Sequence, residues 1–200
     1  MTRATNPLQP ISTAAGVLLL FVLASGGLAI APRQAWGEAP SKEYQIKAAC
    51  LLNFVQFIDW PAGTFSRPET PITIGVLGDD PFGNVLEHTF QDESVGGRGL
   101  VVKRSSQLEE LKTCHVLFVP KAEKHRLGEI LASLSRTSVV TVGEIEQFAQ
   151  QGGVINFYVE AGKIRFEVNA ETAQVRGIKI GSQLLKRARI VGSDPRKGRE

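Results

Sequence analysis

The chain of 200 residues has few of the side chains from which reactive sites are usually built. It contains two cysteines, three histidines and one methionine, and it has no CxxC pair or His and Cys cluster with the spacing of a zinc site. It also lacks a GxGxxG or GxxxxGK(S/T) phosphate-binding loop and a GxSxG nucleophile motif. The sequence therefore gives no positive evidence for an enzyme, and we expect no catalytic residue, no metal and no cofactor.

Long uncharged apolar runs are also scarce, and the exception lies near the N-terminus. Residues 11–30 contain no charged side chain, and Arg3 precedes them. Ala35-Trp36-Gly37 then places small residues at the two positions that a signal peptidase reads. We predict a secretory signal over residues 1–37, cleaved after its last residue, and a protein that works in the periplasm. The alternative is a membrane anchor, because the apolar run is nearly long enough to cross a bilayer.

A strong excess of one charge is missing from the body of the protein, although the sequence pI is about 9.0. Two of the 23 basic residues lie in residues 1–37, so 21 basic residues remain against 20 acidic ones. Positive charge collects towards residues 192–200, which we expect to form a solvated, disordered tail. Attraction to anionic lipid or to an acidic partner is the alternative. No basic face with interleaved aromatic residues is visible, so we expect no nucleic-acid partner.

The two cysteines, Cys50 and Cys114, would meet an oxidising environment after export, so a disulfide between them is chemically possible. Cys50 falls on the apolar side of a predicted helix, whereas Cys114 opens a predicted buried strand. We therefore interpret them as two unpaired core thiols, with a Cys50–Cys114 bridge as the alternative.

Hydrophobic periodicity predicts a long, largely covered helix over residues 43–59, with Ser41 as its N-cap and Trp60-Pro61 ending it. Apolar β-rich runs then alternate with amphipathic segments. Strands are predicted at 72–77, 100–103, 115–119 and 138–142, and helices at 81–91, after the capping box Ser106–Glu109, at 124–134 and at 144–151. Such alternation is typical of right-handed crossovers and of a parallel sheet that is covered on both faces.

The pattern changes towards the C-terminus. Residues 154–159 and 163–168 flank a short Glu-Ala-Gly turn, which predicts a β-hairpin whose second arm has one wet face near the sheet edge. Asn169 is placed to cap a short helix, and residues 182–189 are expected to form the last one. We predict a single α/β domain over residues 38–191. Its fold class would be a Rossmann- or flavodoxin-like three-layer sandwich with a mostly parallel sheet and a C-terminal antiparallel hairpin.

Polar residues follow the ends of several predicted strands. In open α/β sheets, ligands bind outside the carboxyl ends of the strands, so these residues form the candidate ligand-binding set. The set consists of Asp79, Asp80, Ser105, Lys121 and Glu144. The alternative for the acidic pair is structural, because an aspartate followed by Pro81 is typical of a helix N-cap with proline in the first turn.

Four segments of the chain together resemble one family of exported bacterial proteins, the YfiR-like family. They are YQIKAACLLNFVQFIDWP (44–61), IGVLGDDPFG (74–83), GGVINFYVE with KIRFEVN (152–169), and IGSQLL through ARI (180–190). The resemblance covers essentially the whole chain after the signal, in order. Cys114 matches a position that is disulfide-bonded in some members, whereas Gly75 stands where its partner would be expected.

The resemblance implies a periplasmic, non-enzymatic regulator. Its expected partner is an inner-membrane diguanylate cyclase that it binds and inhibits, so that it controls cyclic di-GMP output and biofilm behaviour. An outer-membrane, peptidoglycan-binding lipoprotein is a further implied partner, and a homodimer is possible on this reading. The alternative function is a periplasmic small-molecule sensor domain that acts on a sensor kinase or another membrane protein.

Overall fold

The computed structural model describes residues 41–192. The strands are β1 Ile58–Asp59, β2 Ile72–Leu77, β3 Ser94–Val95, β4 Arg98–Ser105, β5 Val116–Val119, β6 Val140–Gly143, β7 Ile155–Glu160, β8 Lys163–Asn169, β9 Lys179–Ile180 and β10 Arg189–Val191. The helices are α1 Lys42–Gln56, α2 Val85–Phe90, α3 Leu108–Leu111, α4 Leu127–Leu134, α5 Ala170–Val175 and α6 Ser182–Leu185, and a 3-10 helix spans Lys121–Arg126.

The main sheet contains eight strands in the order β10-β8-β7-β6-β5-β2-β4-β3. Strands β4, β2, β5, β6 and β7 run parallel to one another, and β3 pairs antiparallel with β4. Strand β8 returns antiparallel to β7 through a two-residue turn, Ala161-Gly162, in which both residues have positive φ, as the turn of a tight hairpin requires. The predicted α/β class, with a mostly parallel sheet and a C-terminal hairpin, is confirmed.

Apolar side chains alternate along the strands and build a core on each face of the sheet, which makes three layers. On one face, Phe54 of α1 packs against Phe157 and Phe166, with ring centroids 5.5 Å and 4.9 Å apart. On the other face, α3 and α4 cover Leu77 and Leu117. Because both faces are buried, β5 reads as a continuous apolar run in the sequence.

The long first helix ends three residues earlier than predicted. It ends at Gln56, and Ile58 and Asp59 instead pair antiparallel with Ile180 and Lys179 in a small second sheet. Ser41 does occupy the N-cap position, but its side chain makes no capping hydrogen bond. The apolar pattern continued past the helix end because the pairing strand also buries Ile58.

Several shorter predicted helices are also corrected. The segment predicted as a helix at 81–91 becomes helical only at Val85, and residues 145–152 form successive turns instead of the predicted helix at 144–151. The capping box does not form, because α3 begins at Leu108 with Gln107 at the N-cap position and no side chain caps it. The predicted helix at 124–134 begins earlier, as a 3-10 helix.

The C-terminal segment differs from its prediction in two places. The helix at 182–189 stops at Leu185, since residues from Arg189 form the edge strand β10, parallel to β8. Strand β8 therefore lies one strand inside the edge, and the face predicted to be wet buries Glu167. The predicted cap of the preceding helix is confirmed, because the Asn169 side chain accepts a hydrogen bond from the backbone of Thr172.

Both cysteines are free thiols in the described chain. Cys50 packs against the core on the α1 face, whereas Cys114 belongs to the core on the opposite face, so the sheet separates them and the alternative Cys50–Cys114 bridge is not formed. Burial raises the pKa of Cys114 to about 11. A Cβ on Gly75 would lie 2.9 Å from the Cys114 Sγ, which places these two positions side by side.

The predicted signal over residues 1–37 and the predicted tail over residues 192–200 lie outside the described residues, apart from Gly192. Within residues 41–192, no helix combines the length and the apolar character needed to cross a membrane.

Candidate functional site

The strand order reverses between β2 and β5, which is the place where ligands usually bind in open α/β sheets. In this protein a side chain fills that position. Gly78 follows β2 with φ of 69°, and a Cβ placed on it would lie 2.2 Å from the Glu123 Oε1. The Glu123 carboxylate therefore packs directly against the Gly78 backbone. It lies between two groups of polar residues at the carboxyl edge of the sheet.

The first group, the Arg104 cluster, consists of Asp80, Glu87 and Arg104. Arg104 Nε donates to Asp80 Oδ2 at 2.5 Å, and the same guanidinium group also binds both oxygens of Glu87. Asp80 Oδ1 accepts from the backbone N–H of Phe82 at 2.8 Å, which fixes the turn before α2. Hydrogen bonding to Arg104 lowers the pKa of Glu87. This cluster is partly exposed, and each of its charges has a partner.

On the other side of Glu123 lies an open cleft of about 620 Å³. It forms because β6 ends at Gly143, which pairs with Asn156, whereas β7 continues to Glu160. The segment after β6 folds away, and the Phe148 ring packs so close to the backbone of Gly143 that a Cβ there would meet it at 2.5 Å. The end of β7 is thus left without a neighbouring strand on that side.

One wall of the cleft is the Lys47 cluster, which consists of Glu43, Tyr44, Lys47 and Glu144. Lys47 Nζ donates to Glu144 Oε2 at 2.5 Å and also binds Glu43. The Tyr44 hydroxyl donates to Glu144 at 3.1 Å, and burial together with this carboxylate raises the pKa of Tyr44. The side chains of Lys47 and Glu144 are only 4% and 8% exposed, so this ion pair is shielded from solvent.

Two further lysines line the cleft. The backbone N–H of Lys121 donates to Glu144 Oε1 at 3.1 Å, which ties the start of the 3-10 helix to the Lys47 cluster. Lys121 and Lys124 are both exposed, and neither ammonium group forms an ion pair within residues 41–192. Their side chains are therefore available to other groups in the cleft.

The opposite wall is built from the end of β7 and the buried carboxylate behind it. Asn156 is 2% exposed, and its Nδ2 donates to Glu167 Oε1 at 3.2 Å. Its Oδ1 is buried and has no hydrogen-bond partner in the described part of the chain. Glu167 also accepts from Arg189 Nη2 at 2.5 Å, and the Arg189 guanidinium lies 4.0 Å from the ring centre of Tyr158, which lines the cleft.

Three of the five predicted site residues belong to these two groups. The structure brings Lys121 and Glu144 together in the cleft, whereas Asp80 belongs to the Arg104 cluster. Ser105 ends β4 opposite Leu77, and its hydroxyl accepts from the backbone of Gln107. Asp79 is exposed.

Most residues that line the cleft were not predicted as site residues, among them Tyr44, Lys47 and Asn156. A charged residue inside the apolar arc of a predicted helix was the available signal for Lys47. Asn156 offered a similar signal, because it interrupts the otherwise apolar run of residues 154–159.

The histidines lie apart from the cleft. His115 Nδ1 accepts from the backbone N–H of Thr73 at 2.9 Å, and its ring stacks on Phe65 with centroids 4.4 Å apart. Burial, with the nearby Arg98, lowers the pKa of His115. His88 and His125 lie on the surface. Within the described residues, no group of three or more His, Cys, Asp or Glu side chains is placed to hold a metal ion.

Comparison with known proteins gives one result. The model of a family described as YfiR/HmsC-like matches residues 44–189, from the first turn of α1 to the first residue of β10. No curated protein matches the chain significantly.

Proposed function

Because the chain belongs to the YfiR/HmsC-like family, we propose that it is a non-enzymatic regulator that binds and inhibits an inner-membrane diguanylate cyclase from the periplasm. The family match carries this proposal, since it spans both faces of the sheet and not one isolated motif. Family membership supports a periplasmic regulator of cyclic di-GMP signalling. The proposal adds that the partner is a cyclase, that the effect on it is inhibition, and that residues 1–37 are the export signal.

The exported location makes a direct contact with a membrane protein the simplest route to the cytoplasm. A protein confined to the periplasm reaches a cytoplasmic enzyme only through something that crosses the inner membrane, and the periplasmic portion of a cyclase offers that connection. An outer-membrane, peptidoglycan-binding lipoprotein that sequesters the regulator, and a second copy of the chain, are proposed as further partners. A sensor kinase is the alternative membrane partner.

Cyclic di-GMP measured in cells tests the cyclase. Deleting the gene should raise the cyclic di-GMP concentration several-fold, and the whole gene should restore it. A gene encoding residues 38–200 without the signal is the matched control, because its product would stay in the cytoplasm and should not restore the concentration. An unchanged concentration after deletion contradicts inhibition of a cyclase, and rescue by the unexported chain contradicts action from the periplasm.

Capture of the whole tagged chain from membranes of its own host identifies the contact. Chemical cross-linking in living cells followed by mass spectrometry should recover a cyclase with a GGDEF domain. Recovery of a sensor kinase in its place would favour the alternative partner. Recovery of outer-membrane proteins without any inner-membrane signalling protein would contradict direct binding.

A further inference from the structure

The cleft beside β7 holds an amide oxygen that the fold leaves without a partner. Buried polar atoms in proteins are hydrogen-bonded in the great majority of cases, because an unpaired one loses its bond to water and gains nothing in return. Asn156 Oδ1 is such an atom, and Asn156 lines the cleft. Its amide orientation is fixed, since Nδ2 already donates to Glu167. Because Asn156 lines the cleft, a hydrogen-bond donor bound there is the candidate partner of this oxygen.

The charges of the lining restrict the chemistry of that donor. Three carboxylates and three ammonium groups face the cleft, and they balance. They are Glu43, Glu144, Glu146, Lys47, Lys121 and Lys124. A lining of zero net charge favours neither a strong anion nor a strong cation. Carboxylates only accept hydrogen bonds and ammonium groups only donate them, so a ligand that meets both kinds needs groups that do both, as hydroxyls do.

The remaining wall suits a ligand with an apolar face. Tyr158 and aliphatic Val159, which is 63% exposed, line the cleft, whereas Phe157 is 3% exposed and packs into the core against Phe54. Arg189 stacks on Tyr158 and holds the ring in place. A pyranose ring combines hydroxyl groups around its rim with apolar C–H faces that pack on aromatic rings. The volume of about 620 Å³ lies within the range of small-molecule sites.

We propose that this cleft binds a small neutral saccharide, with one hydroxyl or amide N–H donating to Asn156 Oδ1 and further hydroxyls accepting from Lys121 and Lys124. The position agrees with the general rule that ligands of α/β sheets bind at the carboxyl ends of the strands. The usual crevice at the strand reversal is closed by Glu123, so the ligand site is displaced towards β7. The proposal concerns the purified protein and does not depend on any membrane partner.

Saturation-transfer NMR on the whole chain, with D-glucose and N-acetyl-D-glucosamine as separate probes, tests the proposal. We expect binding of at least one probe with a Kd of about 1 mM, typical of a site with few direct bonds. Asn156→Ala should weaken that binding about tenfold, because it removes the unpartnered acceptor. Asn84→Ala is the matched control, since Asn84 is an exposed residue whose side chain contacts His88 on α2. It should leave binding unchanged.

Asn156→Ala also removes a bond to the buried Glu167, so its folding must be checked by circular dichroism. The double variant Lys121→Ala/Lys124→Ala provides a second test, because both side chains are exposed and it should fold normally while binding the saccharide several-fold more weakly. Absence of transfer to both probes overturns the proposal. Equal binding by the wild type and by the folded variants also overturns it, because the site would then lie elsewhere. Binding of inorganic phosphate but of neither sugar would overturn it in favour of an anion site.

Discussion

The Arg104 cluster and the Lys47 cluster lie at the same edge of the sheet, and each pairs two carboxylates with one basic side chain, yet their surroundings differ. Arg104 and Glu87 are 34% and 50% exposed, whereas Lys47 and Glu144 are almost fully covered. Exposed ion pairs contribute little to stability because water and salt screen them, but removing one member of a buried pair leaves an uncompensated charge. The comparison shows that solvent exposure determines how strongly the stability of the fold depends on a charged residue at a strand end.

The largest effect should follow from neutralising a charge in the buried cluster. Glu144→Gln keeps the shape of the side chain but leaves Lys47 with only Glu43 as a partner, so we expect a loss of about 3 kcal/mol in the free energy of unfolding. Urea denaturation monitored by fluorescence measures it. Glu87→Gln is the matched control, since it makes the same change at a side chain that is 50% exposed and should cost about 1 kcal/mol or less. Equal losses in the two variants would remove the distinction between the clusters.

The boundary between the clusters can be tested at Gly78. Gly78→Ala places a methyl group where the Glu123 carboxylate lies and imposes a left-handed conformation on alanine, so we expect a loss of about 2–3 kcal/mol. Gly83→Ala is the control, because Gly83 also has positive φ but nothing lies within 4 Å of the added Cβ. It should cost about 1 kcal/mol. If both substitutions lower the stability measured by thermal denaturation by the same amount, the close contact between Glu123 and Gly78 makes no energetic contribution.

The dependence of stability on alkaline pH should distinguish the Lys47 cluster from the Arg104 cluster, because only the Lys47 cluster contains a tyrosine. Burial and Glu144 raise the Tyr44 pKa above its unfolded value of about 10. The stabilising contribution is therefore complete below about pH 10 and is lost as the pH rises through the folded pKa. Tyr44→Phe should cost about 1 kcal/mol at neutral pH and should flatten the alkaline decline of the unfolding free energy. Tyr158→Phe serves as the control, and an identical alkaline decline in wild type and Tyr44→Phe would contradict the assignment.

The smallest effect is expected in the exposed cluster at acid pH. Hydrogen bonding to Arg104 lowers the Glu87 pKa below its unfolded value of about 4.3. Its contribution is present above that pH and is lost as the pH falls through the folded pKa. Glu87→Gln should therefore cost about 0.5 kcal/mol near neutrality and nothing at the acid end of a pH series of urea denaturations. Glu146→Gln is the control, and a cost that persists at low pH would show that the effect is not electrostatic.

The parallel sheet could be predicted because its strands are short apolar runs between turn residues, and β2 was placed at its observed bounds, 72–77. The ends of the helices could not be predicted as well from the sequence. Ile58 is apolar both on a helix wheel and in the strand it actually forms, so the pattern does not distinguish the two. Residues 145–152 contain apolar side chains at helical spacing, but Phe148 inserts between Gly143 and Gly153, and that packing is tertiary.

The residues of the candidate site could be predicted only where they follow a strand that the sequence pattern identifies. Glu144 follows β6 directly and Lys121 follows β5 after Pro120, so the topology brings both to one edge of the sheet. Lys47 reaches the same place from a helix about 100 residues away in sequence, through a pairing that no local pattern encodes. Asn156 was missed because its burial depends on Glu167 and Arg189, which arrive with later strands.

Strand β10 gives the buried Glu167 its only arginine partner in the described chain, and it is the last element of the fold. Polypeptides are made from the N-terminus, so every other strand exists before this carboxylate can be neutralised. The sheet can assemble its apolar layers early, but it closes around that charge only once Arg189 has emerged. A nascent or truncated chain that lacks Arg189 would therefore keep an uncompensated carboxylate buried between its strands. Such an incompletely folded chain would be more easily cleaved by proteases.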